Sequence, residues 1–396
     1  MHPTSNLEPK TSNLKPRTLR RLESPPPTAY TPPVAELPDN EASYLNAALA
    51  AATTARDFLA WMEHVGEQLA PERSSRLAAE TLERFGSPLA SASAGLDANP
   101  PSEELRPFAE RVRAGLDDAR HAFELFAHFP QAPPHERIPR ILGSMHFLAA
   151  AQEHFYTVRL VLPPFERHWL LPETAVVDQA PRRDEDGKPL TGLIHVSGGG
   201  HHGGFTLYVP EQYDPEAPWP VIVALHGGSG NGRDFVWTWL REAKSRGYVL
   251  ISPKAVNDTW GDVEERGLFE ILGWVSQRFH LDRERVLLTG LSDGATFSLV
   301  YGLAHPDVFR ALAPLCGVLH PANEPLGNLA RAKGVPIYLV HGALDFLFPV
   351  GLARFARDTL LAHGAALEYR ELADLSHTYP RSENVRILDW FEALAR

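Results

Sequence analysis

The ten residues Leu287–Thr296, LLTGLSDGAT, decide how the rest of the chain is interpreted. The apolar run Arg285–Leu288 predicts a short buried strand, and Ala295–Leu303 predicts a helix. Between a strand and a helix, the motif Gly-x-Ser-x-Gly is typical of a turn that exposes a nucleophilic serine, here Ser292. The turn requires strained angles at the serine, and a Cβ at either glycine would strike the neighbouring strand or helix. Glycine-rich turns are common, so the chain must also supply a base, an orienting acid and oxyanion donors.

Composition limits the classes of function. The chain has 396 residues and a formal net charge of −11, which argues against nucleic acid or anionic membrane as its main partner. Its single cysteine, Cys316, excludes internal disulfides and Cys-rich metal sites, so we expect a reducing, cytoplasmic compartment, with a chain that has lost its leader as the alternative. No apolar run approaches the roughly 18 residues that cross a bilayer, and the first residues hold no apolar signal-peptide core.

The pattern of apolar residues predicts three regions. Residues 1–40 are rich in proline and predict a flexible arm, since this composition cannot bury a core. Residues 41–175 carry apolar stripes at helical spacing and predict an all-helical N-terminal domain, with a shorter helix over 72–85. Residues 176–396 alternate strands with helices, and predict the catalytic domain as a mostly parallel sheet with helices on both faces. Its strands are predicted at 191–197, 204–210, 220–225, 248–252, 285–288, 336–340 and 367–371.

Two residues further along the chain, an aspartate and a histidine, could complete a catalytic triad with Ser292. Asp345 follows the strand at 336–340 directly, and His377 lies on a loop before the last predicted helix. The chain order serine, acid, histidine is the order expected with this nucleophile turn. His377 would take the proton of Ser292 during attack, and Asp345 would fix the imidazole tautomer. Asp374, two residues before Ser376, is the one serious rival for the acid.

A loop after the first strand of the parallel set supplies donors for an oxyanion. The sequence ALHGGSGN at 224–231 places a His-Gly-Gly segment behind a strand. We assign the backbone N–H groups of Gly228 and Asp293 as the two donors, since glycine allows close approach of the backbone. A phosphate-binding loop is excluded because no Gly-Lys-Ser/Thr follows.

Aromatic residues near these loops predict a substrate pocket. Trp260 lies in the loop after the strand at 248–252, and Phe346 and Phe348 follow the candidate acid. We interpret them as a wall for an acyl or aryl group, with ordinary packing as the alternative. The segment GGGHHG at 198–203 joins two strands instead of opening a helix, which argues against a dinucleotide site. The histidines lack carboxylate or cysteine partners at ligand spacing, so we expect no metal and no cofactor.

These motifs together resemble a known family. The segments LHGGSGN at 225–231, GLSDG at 290–294, HGALDFLFP at 341–349 and LSHTYP at 375–380 are similar to those of α/β-hydrolase fold serine esterases. Within that fold they resemble the phospholipase/carboxylesterase and polyhydroxybutyrate-depolymerase-like group. The resemblance covers residues from about 190 to the end and implies an α/β-hydrolase fold in the catalytic domain. It leaves the helical domain unexplained.

Motifs and resemblance together predict a serine carboxylic-ester hydrolase that works through an acyl-enzyme on a small or polymeric ester. A thioesterase or a serine peptidase would use the same residues, and a non-catalytic binding protein on a hydrolase scaffold is the alternative from a different class. The helices of residues 41–165 either wall the entrance to the site or assemble a homo-oligomer, and the two roles are not exclusive.

Overall fold

The structure, a computed structural model, describes residues 38–394, and the residues from Asp39 onward form one compact unit. The predicted arm at residues 1–40 lies almost wholly outside the described residues. Within the described range, no helix has the length and apolar character needed to span a membrane.

Four long helices come first and confirm that a helical region precedes the sheet. They are α1 (Asp39–Gln68), α2 (Pro71–Ala98), α3 (Arg106–His128) and α4 (Pro134–Val158). Helix α2 is far longer than the predicted 72–85, and it continues through Pro88. Its second half buries Leu89 and Leu96 in the core, and this packing outweighs the helix-breaking tendency of the proline.

Eight strands form one mixed sheet, mostly parallel as predicted. Its order is β1-β2-β4-β3-β5-β6-β7-β8. The first two strands form an antiparallel hairpin, β2 pairs antiparallel with β4, and all other neighbours are parallel. The strands are β1 (Gly192–Gly199), β2 (His202–Val209), β3 (Trp219–Leu225), β4 (Val249–Pro253), β5 (Leu281–Leu291), β6 (Ala311–Leu315), β7 (Pro336–Gly342) and β8 (Ala366–Leu372).

The strand β6 was absent from the sequence prediction. Its sequence, ALAPL, is short and holds Pro314, which normally argues against a central strand because proline cannot donate to the ladder. Pairing with β7 is made through Leu312 and Leu315, on either side of the proline. The strand is fully buried between β5 and β7, so tertiary context decides its conformation.

Helices cover both faces of the sheet, as predicted. One core packs α7 (Asp262–Ser276), α8 (Asp293–Ala304) and α10 (Val350–Ala362) against one face. The other core joins the opposite face to α6 (Leu240–Arg246), α11 (Asn384–Leu394) and the N-terminal helices. Between β3 and β4 the chain forms two short helices, α5 (Gly232–Phe235) and α6, separated by a 3₁₀ turn at Val236–Thr238. The short helix α9 (Asn328–Arg331) lies between β6 and β7.

A buried group of charges ties the helical region to the sheet. Arg159, just after α4, pairs with Asp178 at 2.7 Å and with Glu211 at 2.9 Å. Lys244 of α6 pairs with the same two carboxylates, at 2.7 Å and 2.8 Å. Two cations thus neutralise two anions, which is the condition under which buried charges are tolerated.

Candidate active site

Ser292 lies at the sharp turn between β5 and α8, at the carboxyl end of the sheet. Its φ is 56° and its ψ is −114°, outside the regions that non-glycine residues favour, as the sequence predicted. A Cβ at Gly290 would lie 2.5 Å from the carbonyl carbon of Gly294, and a Cβ at Gly294 would lie 2.3 Å from the Leu225 oxygen. The two glycines therefore allow helix α8 to start against strand β3.

His377 bridges the serine and the predicted acid. Its Nε2 lies 2.8 Å from Ser292 Oγ, and its Nδ1 lies 2.7 Å from Asp345 Oδ2. A carboxylate only accepts, so Nδ1 carries the proton and Nε2 is free to accept from the serine hydroxyl. The other carboxylate oxygen of Asp345 accepts from the backbone N–H groups of Leu347 at 3.0 Å and Phe348 at 2.7 Å, which fixes the acid.

The rival acid Asp374 is not the partner of His377. His341, although 3.4 Å from Asp345, and His363 both make other hydrogen bonds. Asp374 is exposed, and its backbone carbonyl accepts from Arg73 at 2.6 Å, whereas His377 is bound to Asp345. His341 is fully buried, with Nε2 2.8 Å from the Phe348 carbonyl, and burial lowers the pKa of its ring. His363 binds the Thr359 carbonyl at the end of α10. The geometry thus brings together the three residues that the sequence selected.

The loop after β3 is fixed by His226. The backbone N–H of Ala255 donates to Nε2 of His226 at 3.1 Å, so Nδ1 holds the proton and donates to the Gly227 carbonyl at 2.6 Å. The N–H of Gly230 donates to the same carbonyl at 3.0 Å. That carbonyl shares its peptide plane with the N–H of Gly228, so its two bonds also set the direction of the predicted oxyanion donor.

The second predicted donor, the N–H of Asp293, begins helix α8. The first N–H groups of a helix have no partner within the helix and favour an anion. The Asp293 carboxylate accepts from the backbone N–H of Trp260 at 2.8 Å. Burial raises the pKa of this carboxyl, against the lowering effect of that hydrogen bond. The side chain of Asp293 thus ties the Trp260 loop to the turn that carries Ser292.

The three predicted pocket residues occupy two different settings. Trp260 is buried, and its indole N–H donates to the His226 carbonyl at 2.7 Å. Phe348 and Phe346 lie with ring centroids 5.2 Å and 6.4 Å from the His377 ring, and Phe346 is 54% exposed. Trp260 therefore packs on the loop after β3 that carries the Gly228 N–H, while the two phenylalanines border the candidate base.

Comparison with known proteins identifies a similar family. Residues 269–393 match the phospholipase/carboxylesterase family. The chain has the α/β-hydrolase fold. It resembles serine esterases of that fold, as the motifs implied.

Individual relatives of this chain are distant. Feruloyl esterase C of Emericella nidulans is 26% identical over 160 residues, which cover 37% of this chain and 56% of that protein. A bifunctional acetylxylan esterase/xylanase of Neocallimastix patriciarum is 26% identical over 146 residues, covering 35% of this chain and 21% of that protein. The chain thus spans little more than half the length of one relative, and much less of the other. A thermostable esterase of known structure has a TM-score of 0.44 at 20% identity, over 51% of this chain and 62% of that chain.

The segment Gly198–Gly203 spans the turn of the β1–β2 hairpin, as its placement between two strands predicted. His201 in this turn lies 2.7 Å from Glu270, and His195 lies 3.3 Å from Glu153. Across residues 38–394, no three His, Cys, Asp or Glu side chains are grouped to hold a metal ion.

Two further residues belong to this candidate site, and the sequence predicts no role for them. One is His226, whose position in the His-Gly-Gly segment was the available signal. The other is Cys316, which follows β6 with a φ of 53° and donates its thiol to the Thr378 carbonyl at 3.5 Å. Burial raises the pKa of this thiol to about 12. The loop of residues 373–383, which carries His377, is called the base loop. No sequence pattern could place Cys316 beside it, because the strand before Cys316 was not predicted.

Proposed function

We propose that this protein is a serine carboxylic-ester hydrolase that works through an acyl-enzyme. The observation that carries the proposal is the hydrogen-bonded series in which His377 joins Ser292 at 2.8 Å to Asp345 at 2.7 Å. The similarity to carboxylesterases supports the same chemistry.

In the first half of the reaction, Ser292 Oγ attacks the ester carbonyl carbon while its proton passes to Nε2 of His377. The imidazolium that forms is stabilised by Asp345, which also holds the ring in the reactive tautomer. His377 then gives the proton to the leaving alkoxide, and the C–O bond of the ester breaks. The products of this half are the alcohol and an ester on Ser292.

In the second half, water replaces the alcohol. His377 takes a proton from the water as its oxygen attacks the acyl carbon, and returns it to Ser292 Oγ as the acid leaves. In both halves the carbonyl oxygen becomes an anion, which the N–H groups of Gly228 and Asp293 stabilise. Loss of one such donor typically costs about 3 kcal/mol of transition-state stabilisation.

The substrate class follows from the border of the site and from the relatives. Two aromatic rings, those of Phe346 and Phe348, stand beside the base and suit an apolar or aromatic group. The relatives are named as feruloyl and acetylxylan esterases, whose names state an aromatic and a short acyl ester. We therefore propose uncharged aryl or short-chain acyl esters as substrates, including esters carried on a polymer.

A fluorophosphonate probe tests the nucleophile, because it phosphonylates only an activated serine. We expect stoichiometric labelling at Ser292, with labelling and ester hydrolysis both reduced by about 10³-fold or more in Ser292→Ala. Labelling at another serine, or full hydrolysis by Ser292→Ala, would contradict the proposal. Comparing kcat/KM on matched ester, thioester and amide substrates then distinguishes an esterase from a thioesterase or peptidase.

A further inference from the structure

The last turns of helix α1 break a local rule of helix stability. Glu63 and Glu67 lie near its carboxyl end, where the helix dipole disfavours negative charge, and no basic residue occupies the last turn. Glu63, Gly66 and Glu67 are spaced i, i+3 and i+4, which places them on one face of the helix. We call these three residues the α1 clamp. Charges that oppose the helix dipole need partners outside the helix.

The partners of the α1 clamp lie on the loop that carries His377. The Thr378 hydroxyl donates to the Gly66 carbonyl, one of the last carbonyls of α1 that have no partner within the helix. The Ser382 N–H donates to Glu67 at 2.7 Å, and Arg381 pairs with Glu63 at 2.8 Å. All three bonds fall within six residues of the loop, beginning at the neighbour of His377.

Glu63 also reaches the hydrolase fold from a second side. Arg241 of α6 pairs with it at 2.9 Å, so one carboxylate joins α1, α6 and the base loop. Burial raises the pKa of Glu63, but Arg381 and Arg241 more than offset this effect and lower the pKa overall. The carboxylate is therefore held in its charged form between two arginines.

The three candidate catalytic residues depend on α1 to different degrees. Ser292 and Asp345 follow strands β5 and β7 inside the parallel set. The N–H of Ser292 donates to the Leu315 carbonyl of β6, and Asp345 accepts from backbone N–H groups of its own turn. His377 follows the edge strand β8 on a longer loop. That loop is bonded to the α1 clamp at Thr378, and Arg73 of α2 donates to the Asp374 carbonyl on the other side of the histidine.

We propose that the α1 clamp is a positioning element of the reaction, which holds the base loop so that Nε2 of His377 meets Ser292. The inference rests on the proposed ester hydrolysis. It gives the helical region a direct part in turnover, beside any part in substrate choice or assembly.

Thr378→Val tests this with one hydroxyl removed. A displacement of the base by about 1 Å can cost about 10²-fold in rate. We expect kcat on a small soluble ester such as p-nitrophenyl acetate to fall by about 10- to 100-fold, with KM within about twofold. The rate of fluorophosphonate labelling at Ser292 should fall by the same factor, and Thr378→Ser, which keeps the hydroxyl, should restore both.

Thr174→Val is the matched control. Its hydroxyl donates to the Ser245 carbonyl at 2.9 Å, a bond of the same type that joins the segment before the sheet to α6, away from the base loop. We expect this variant to lose thermal stability to a similar extent and to keep kcat within about twofold of the parent. A fall in kcat shared equally by Thr174→Val and Thr378→Val would show a general loss of stability and overturn the proposal.

Glu63→Gln extends the test to the ion pairs. It leaves Arg241 and Arg381 without their shared anion, so this variant is interpreted only if its melting curve stays cooperative. A folded Glu63→Gln should show the same fall in kcat at constant KM. Unchanged kcat in Thr378→Val, with Ser292→Ala inactive, would overturn the clamp and leave the esterase standing. An active Ser292→Ala would instead overturn the esterase proposal itself.

Discussion

The non-glycine residues with positive φ angles lie at or beside the candidate active site. Within residues 38–394 they occur at Ser229, Ser292 and Cys316, with φ values of 58°, 56° and 53°. These residues follow strands β3, β5 and β6, all at the carboxyl edge of the sheet. Each such conformation costs of order 1–3 kcal/mol, so it persists only where the surroundings fix it. At Ser292 the N–H is held by the Leu315 carbonyl at 2.9 Å, which favours the strained turn.

The choice of acid is the sharpest residue-scale prediction. Asp345→Asn keeps the shape of the side chain but places an N–H or a neutral oxygen against Nδ1 of His377, which disfavours the reactive tautomer. We expect kcat/KM to fall by about 10³-fold or more, with the melting temperature little changed. Asp374→Asn is the matched control, and it should stay within about twofold of the parent because Asp374 is exposed.

The comparison is read from initial rates on one ester at several concentrations. If Asp374→Asn were the more damaging variant, the assignment of the acid would be wrong. Equal loss in both variants would indicate that the base loop as a whole, not one carboxylate, limits the reaction.

Among the secondary-structure elements, the sequence predicts best those whose amino-acid composition is distinctive. The strands β3, β4 and β7 are rich in aliphatic residues and lie between turn signals, and the predicted bounds of each agree with the structure to within one or two residues. The second half of α2 and the strand β6 were missed because Pro88 and Pro314 are local signals against them. In both cases long-range packing outweighs local preference, and a single sequence does not display such packing.

The same distinction applies to the candidate site. Ser292, Asp345 and His377 could be selected because motif and chain order carry their roles. The contact of Thr378 with Gly66 joins residues 312 positions apart, and no local pattern reports it. The roles of His226 and Cys316 likewise depend on neighbours from other strands.

Helix packing gives an element-scale prediction with opposite signs at two glycines. A Cβ at Gly115 of α3 would lie 2.8 Å from the Phe155 ring of α4, whereas a Cβ at Gly95 of α2 would meet nothing within 4 Å. Alanine in a helix interior gains up to about 1 kcal/mol over glycine. Overpacking a core typically costs about 1–3 kcal/mol. We therefore expect Gly95→Ala to stabilise the protein and Gly115→Ala to destabilise it.

Urea unfolding of the two variants against the parent measures both signs. The pair shares helical setting and chemistry, so propensity cancels between them. Stabilisation by Gly115→Ala would mean that Phe155 moves away at little cost, and that α3 and α4 pack less rigidly than their contact indicates.

On the scale of the whole molecule, the helices and the sheet share one hydrophobic core. Trp169 packs against Tyr156 of α4 at 5.1 Å and against Trp237 at 6.1 Å, between ring centroids. The buried ion pair of Arg159 with Glu211 crosses the same boundary, and Lys244 donates across it to the Tyr156 hydroxyl at 3.3 Å. A chain beginning near residue 176 would lose more than half of the buried residues of this core. Truncation is therefore a poor way to tell whether the helices line the entrance to the site or form an oligomerisation surface. Both roles stay predictions, and intact protein with surface substitutions on α2 or α4 is the better test.

Because several histidines are buried, we expect the free energy of unfolding to decrease in mild acid. Burial lowers the pKa of His168 to about 3, while an unfolded chain has a histidine pKa of about 6.5. Between these values the unfolded state binds a proton that the folded state does not. The free energy of unfolding is therefore highest above pH 6.5 and falls as the pH drops, by about 1.4 kcal/mol per pH unit for each such histidine. Burial also lowers the pKa values of His226 and His341, which adds to the slope.

His168→Phe isolates one part of that slope. Urea unfolding at pH 7.5, 6.5 and 5.5 should show a smaller loss of stability in the variant, by about 1.4 kcal/mol per pH unit at most. Identical slopes in variant and parent would show that His168 takes up its proton while folded.

Because Cys316 is buried, the rate at which its thiol is alkylated can report how often the base loop opens. Its thiol faces the Thr378 carbonyl and is almost entirely un-ionised at neutral pH, so an alkylating reagent finds no thiolate to attack in the closed protein. We therefore expect modification to require a transient opening of the base loop that exposes the sulfur to water. Because the chain has one cysteine, the rate of its modification measures how often the loop opens, in the absence of substrate.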